Sequence, residues 1–260
     1  MRAFSAYFSA FRAALQAKLE YRTDLVVGML TSVLLQLAAL SFLIVVFRNA
    51  PALAGWSGPQ VVFLFGMTAA CLGCSEFFFN HIWMLPQYIV SGDLDRLLMY
   101  PVHSLVFFLI TRPELHAFGN LLTGTSLVVG SLLALHAPVY VWLLVPLWCA
   151  CGSLIYTSLL VVFGSLSFKL LGPYSHYLMV PHNLLQSTRY PLAIYPGWLF
   201  YLLLVVLPFG SIHFLPASFV FGKELGVWRL FVPPLAAALC MFEAQWFWNW
   251  GLRRYESTGS

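Results

Sequence analysis

Leu25-Val-Val-Gly-Met-Leu-Thr-Ser-Val-Leu-Leu-Gln-Leu-Ala-Ala-Leu-Ser-Phe-Leu-Ile-Val-Val-Phe47 carries no charged side chain and a single amide, Gln36. A helix of this length reaches across a hydrocarbon core about 30 Å thick, which needs roughly 20 apolar residues. Arg48, Asn49 and Pro51 end the run. The rest of the chain has the same character. Of 260 residues, 61% are hydrophobic and 8% charged, and mean hydropathy is +0.84. Soluble domains carry about 25% charged residues. An ordinary soluble protein, a disordered chain and a nucleic-acid-binding domain are therefore excluded. The expected fold is an all-α integral membrane protein with six transmembrane helices.

The apolar segments place spans at 25–47, 59–80, 105–135, 139–168, 173–188 and 227–250, within one membrane domain covering 1–260. Residues 1–22 form no signal peptide, because no apolar core leads to a small-residue cleavage site. Instead Phe4, Phe8, Phe11, Leu15 and Leu19 recur at helical spacing, with Arg2, Arg12, Lys18 and Arg22 beside them. That pattern predicts a helix lying in the membrane interface. Gly172–Phe221 holds Pro173, Pro181, Pro191, Pro196, Pro208 and Pro216, and each internal proline removes a helix hydrogen bond. Two divisions are open. One has a span at 173–188 followed by a broken, re-entrant segment at 195–221. The other has a span at 197–215 with 172–189 on the surface. Trp246, Trp248 and Trp250 read as an interfacial aromatic belt.

With both ends inside, the inner face holds Arg2, Arg12, Lys18, Arg22, Arg96, Arg112, Lys169, Arg253 and Arg254, against Arg48, Arg189, Lys223 and Arg229 outside. That asymmetry favours cytoplasmic termini under the positive-inside rule. No G-x-x-x-x-G-K-S/T, H-E-x-x-H or G-x-S-x-G occurs. The chain thus shows no nucleotide-binding or hydrolase motif, and no catalytic residue or metal site is expected. Cys71-x-x-Cys74 lacks further ligands at metal spacing and reads as apolar filling.

Ionisable groups within spans are costly and often functional. Glu76 and Glu243 are candidates for a substrate path or for a pairing with a nearby Arg or amide. Arg112 and Glu114, at the start of a span, suggest an interfacial charge pair. The most specific polar stretch is Ser91-Gly-Asp-Leu-Asp-Arg-Leu-Leu-Met-Tyr-Pro101. Gly92 or Asp93 starts a short helix with Leu94, Leu97 and Leu98 on one face and Asp93, Asp95 and Arg96 beside or opposite them. An amphipathic helix between two spans suits the docking of a soluble partner; an ordinary interfacial loop is the plainer alternative.

The Gly92-Asp-Leu-Asp-Arg-Leu-Leu stretch with Pro101 resembles the G-x-L-D-x-x-L-x-x-P of ABC-2 type permeases, in particular the uncharacterised or viologen-exporter-like group. Arg189-Tyr-Pro-Leu-Ala-Ile-Tyr-Pro196, Pro208-Phe-Gly and Phe214-Leu-Pro-Ala217 are similar to that family's proline-marked segment before the last span. Gly251–Ser260 is similar to its short ending. The resemblance covers essentially the whole chain, through the order and spacing of these motifs. It implies the ABC-2 type exporter fold and a half-transporter in the bacterial cell (inner) membrane. Such a subunit pairs with a second permease, related and distinct or a copy of itself. The pair sits on two copies of an ATP-binding cassette subunit, which bind ATP and Mg. The coupling helix would be 88–101, with Gly92, Asp93, Leu94, Asp95, Arg96, Leu98 and Pro101 meeting the ATPase. Arg189, Pro191, Pro196, Pro208 and Pro216 would mark the re-entrant segment. A secondary transporter carrying protons on Glu76 and Glu243 is the alternative; a lipid-directed membrane enzyme would need a polar cluster that the sequence does not display.

Overall fold

A computed structural model describes residues 2–20, 22–50, 52–170, 176–222 and 226–255. Every extended element among them is helical. In chain order they are α1 (Arg2–Glu20), α2 (Arg22–Asn49), α3 (Gly58–Phe79), α4 (Leu85–Ser91), α5 (Asp93–Leu98), α6 (Ser104–Ile110), α7 (Ala117–Ala134), α8 (Val139–Gly164), α9 (His176–Ser187), α10 (Gly197–Tyr201), α11 (Phe214–Val220) and α12 (Val232–Leu252). Five stretches are long and apolar enough to cross a membrane: Arg22–Asn49, Gly58–Ser91, Ala117–Ala134, Val139–Phe168 and Trp228–Leu252. A bent pair, Gly197–Val206 and Phe209–Val220, makes a sixth if counted as one span. The chain is an all-α, multi-pass membrane protein.

The stretch 105–135 is carried by two helices, α6 and α7, parted by Thr111–His116; the sequence places its polar interruption there, at Arg112, Pro113, Glu114 and His116, and Pro113 cannot continue a hydrogen-bonded turn. Within the span expected at 173–188 the described residues form a helix over His176–Ser187, and 171–175 lie outside the described residues. The prolines do break the next segment. Its two halves meet at 71°, at Leu207 and Pro208, and Leu207 has left helical geometry (φ −114, ψ 86). Pro51, Lys223, Pro173 and the ending Glu256–Ser260, all used in the sequence reading, lie outside the described residues.

The core forms where small residues let helices approach. Gly66 of α3 lies against Gly124 of α7, and Gly73 of α3 against Ala117 and Leu121. A Cβ on Gly124 would stand 2.3 Å from the Ala70 nitrogen, and one on Gly73 2.5 Å from the Leu121 nitrogen. With no hydrophobic drive between helices in lipid, such backbone-to-backbone seams supply the packing. A second seam joins α8 to α12, where Gly251 fits against the Phe168 ring. Trp148, Tyr156 and Trp248 are fully buried. Trp248 donates its indole N–H to Ser104 Oγ at 3.0 Å, so it belongs to the core and not to an aromatic belt. Trp246 is 57% exposed, and Trp250 lies under the Arg254 guanidinium at 4.3 Å.

The N-terminal helix is tied to the body at two points. Tyr7 Oη accepts the His103 backbone N–H at 2.8 Å. Lys18 Nζ pairs with both Glu114 oxygens at 2.7 and 2.8 Å. Between these ties Phe11 stacks on Phe78, while Phe8 and Leu19 remain exposed.

Candidate functional site

Two places combine polar side chains with geometry that could serve transport. The first is the tip formed by α4 and α5. Gly92 joins these helices in the left-handed conformation, φ +76 and ψ 0, which a side chain would strain. The turn lets Leu94 and Leu97 of α5 point inward and be buried. The sequence reading had put Leu94 among the partner-facing residues; its burial gives it to the chain's own core. Leu98 is half-buried too. Asp93, Arg96, Met99, Tyr100 and Pro101 form the outward surface, with Met99 78% and Tyr100 56% exposed. Ser91 Oγ donates to Asp93 at 2.7 Å and so stiffens the turn. Burial, with the neighbouring Asp95 carboxylate, pushes the Tyr255 phenol up to about 12. Through that neighbour Tyr255, just past α12, leans on α5.

The second place lies among the spans. Arg189 donates from one guanidinium nitrogen to Gln36 Oε1 at 3.2 Å. Gln36 donates to Asn120 Oδ1 at 2.9 Å. Asn120 donates to Glu76 Oε2 at 2.9 Å. One chain of three bonds thus links the segment after α9 to α2, α7 and α3, with every donor directed toward the carboxylate. Arg189 also covers the Phe65 ring at 4.7 Å. Gln36, Glu76, Asn120 and Arg189 line a cavity of about 300 Å³ together with His116, His182 and Gln186. His182 is held by the Tyr156 hydroxyl at 2.8 Å. The sequence had given Glu76 a pairing with an Arg or amide as one option, and an amide is what it meets. Asn120 was missed, and Gln36 was noted only as a polar interruption. The available signal was an amide inside each of two otherwise apolar spans, since polar groups there need partners.

Other candidates are not brought together. Glu243 is exposed on α12, beside Phe242, and shares no contact with Glu76. Arg112 does not pair with Glu114. Its guanidinium lies over the Tyr88 ring at 5.8 Å, while Glu114 takes Lys18 and, at 3.2 Å, His116. Burial opposes the Glu114 charge, but hydrogen bonds from His116 and Lys18 outweigh it and hold its carboxyl below the usual range. The same contact raises His116 against a smaller opposing effect of burial. In the bent segment and the turn leading to it, Pro191 and Pro216 are buried, Pro208 half-buried and Pro196 exposed. This region is pinned to the end of α9 twice. Tyr195 donates to the Ser187 carbonyl at 2.6 Å, and buried His213 donates to the Thr188 carbonyl. Cys71, Cys74, Cys149, Cys151 and Cys240 are free thiols. Among the described residues no three His, Cys, Asp or Glu side chains are grouped to hold a metal ion.

The apolar spans, with a turned polar tip between the second and third, make the chain a multi-pass membrane protein. Residues 33–259 match the family model of the ABC-2 family transporter protein, and the chain belongs to that family. It is therefore an ABC transporter permease, a multi-pass membrane subunit of a family that associates with an ATP-binding subunit. Comparison with curated proteins and with solved structures finds no match.

Proposed function

We propose that this permease is one half of the membrane domain of an ATP-driven exporter and that the α4–α5 tip is its coupling element. Two permease subunits, either this chain with a related one or two copies of it, sit on two ATP-binding cassette subunits. These bind ATP and Mg and carry out the hydrolysis; the permease itself is not an enzyme. Both termini and the tip lie in the cytoplasm, at the bacterial inner membrane.

The observation that carries this reading is the division of labour on α5. Its leucines anchor the tip to the body, while Asp93, Arg96, Met99 and Tyr100 remain outward. A short helix so anchored moves with the spans behind it. Motion of an ATPase groove around Met99 and Tyr100 would reach α3 through α4 and the turn Asn80–Met84. The secondary-transporter alternative gains nothing from Glu243, which sits apart on an exposed helix face.

Purification of the tagged chain from native membranes tests the reading. An ATP-binding cassette subunit should accompany it. Met99→Asp should weaken that association or uncouple ATP hydrolysis from transport, while leaving the protein monodisperse. Full transport by the purified chain alone would refute it.

A further inference from the structure

Opposite charges in a membrane interior normally meet, since a direct pair offsets part of the desolvation cost. Glu76 and Arg189 do not form an ion pair. Gln36 and Asn120 stand between them as a two-amide spacer. The spacer uses only part of each charged group. Glu76 Oε1 accepts no hydrogen bond from the described residues, and the buried Arg189 Nε has no partner. Both side chains border the same 300 Å³ cavity. Liquid water occupies about 30 Å³ per molecule, so the space suits a headgroup or an amino-acid-sized solute. A ligand of one sign would satisfy one pole and leave the other exposed to it. A group carrying both signs satisfies both.

Resting on the permease reading above, we propose that Glu76 and Arg189 are the two poles of a binding site for a zwitterionic group. A protonated amine binds at the Glu76 carboxylate and an anionic oxygen at the Arg189 guanidinium. The amine must carry N–H, because the unused carboxylate oxygen is a hydrogen-bond acceptor. His182 and Gln186 close the wall beside Arg189. A lipid headgroup and a soluble amino acid or peptide terminus both offer this chemistry.

The test uses the purified complex in detergent, with native mass spectrometry and calorimetric titration. The probes are dihexanoyl-phosphatidylethanolamine, its choline analogue and the dipeptide diglycine. The amine-bearing lipid or diglycine should bind, and which of them does identifies the source. Choline, lacking N–H, should bind at least tenfold more weakly than ethanolamine. Glu76→Gln and Arg189→Gln should each weaken binding at least tenfold, and Arg189→Lys should recover part of the loss. Monodispersity and ATPase co-purification are checked for every variant. Absence of binding by the wild-type complex with its ATPase in place would overturn the site and leave the permease reading standing. So would equal binding by wild type and both glutamine variants, or equal binding of choline and ethanolamine. Binding without any co-purifying ATPase would support the site and count against the proposed coupling to an ATPase.

Discussion

Replacing Gly124 with alanine tests the seam between α3 and α7. The new Cβ would stand 2.3 Å from the Ala70 nitrogen and 2.8 Å from the Ala69 carbonyl carbon. Both obstacles are backbone, so no side chain can swing aside. Restoring ordinary contact requires α7 to move out by about 1 Å. A gap of that size forfeits a quarter to a half of each contact, worth about 0.1–0.2 kcal/mol apiece. Over roughly 40 atom pairs along the seam this comes to on the order of 2–3 kcal/mol. The better helix propensity of alanine returns about 1 kcal/mol. Gly130, on the same helix, has nothing within 4 Å of its Cβ position. Gly130→Ala should therefore gain up to about 1 kcal/mol, while Gly124→Ala loses on the order of 1–2 kcal/mol. Thermal stability of the two variants in detergent, followed by size-exclusion chromatography, reads the difference. Equal behaviour of the pair would refute the close approach of α3 to α7.

The polar chain predicts that Asn120→Leu strands Glu76 Oε2 and the Gln36 amide N–H, although Gln36 Oε1 keeps Arg189; each stranded group costs about 1–3 kcal/mol, visible as a lower melting temperature. Trp248→Phe should remove the bond to Ser104, cost about 1 kcal/mol and loosen α6 in hydrogen exchange. The N-terminal tie should depend on pH. Because Glu114 raises the His116 pKa, the His116 contribution is complete below the ordinary imidazole range and is lost as pH rises through the raised value. Glu114, held low, contributes above the ordinary carboxylate range and loses its part only as pH falls through its lowered value. Protection factors in α1, taken relative to the intrinsic exchange rate, should therefore be highest where Glu114 is ionised and His116 protonated, and fall as pH moves to either side. Lys18→Ala should lower protection wherever Glu114 is ionised.

Much of the architecture could be read from composition and spacing, because lipid permits few backbone solutions. The uncharged run 25–47 settled the class, and the prolines of 191–216 located the broken segment. What escaped the sequence depended on partners distant along the chain. Nothing near Asn120 announces that it will meet both Gln36 and Glu76, each on another helix. The tryptophans were misread for a local reason. Residues two apart on a helix point about 200° apart, so Trp246 and Trp248 could not share one surface. The leucines of α5 looked free to meet a partner because a short helix displays its face in sequence without showing what already fills it. Burial of Leu94 and Leu97 needed the Gly92 turn, whose direction is a tertiary fact.

The two ties of the N-terminal helix have a mechanical consequence. Tyr7 and Lys18 are separated by the same number of residues as their partners His103 and Glu114, and α6 lies between those partners. The first helix thus acts as a splint bound alongside α6. Alone, a seven-residue helix with a loop at either end would flex and dissipate a push arriving from the 92–101 tip. Splinted at both ends, it would pass such a push on as a strut, toward the loop Thr111–His116 and into α7.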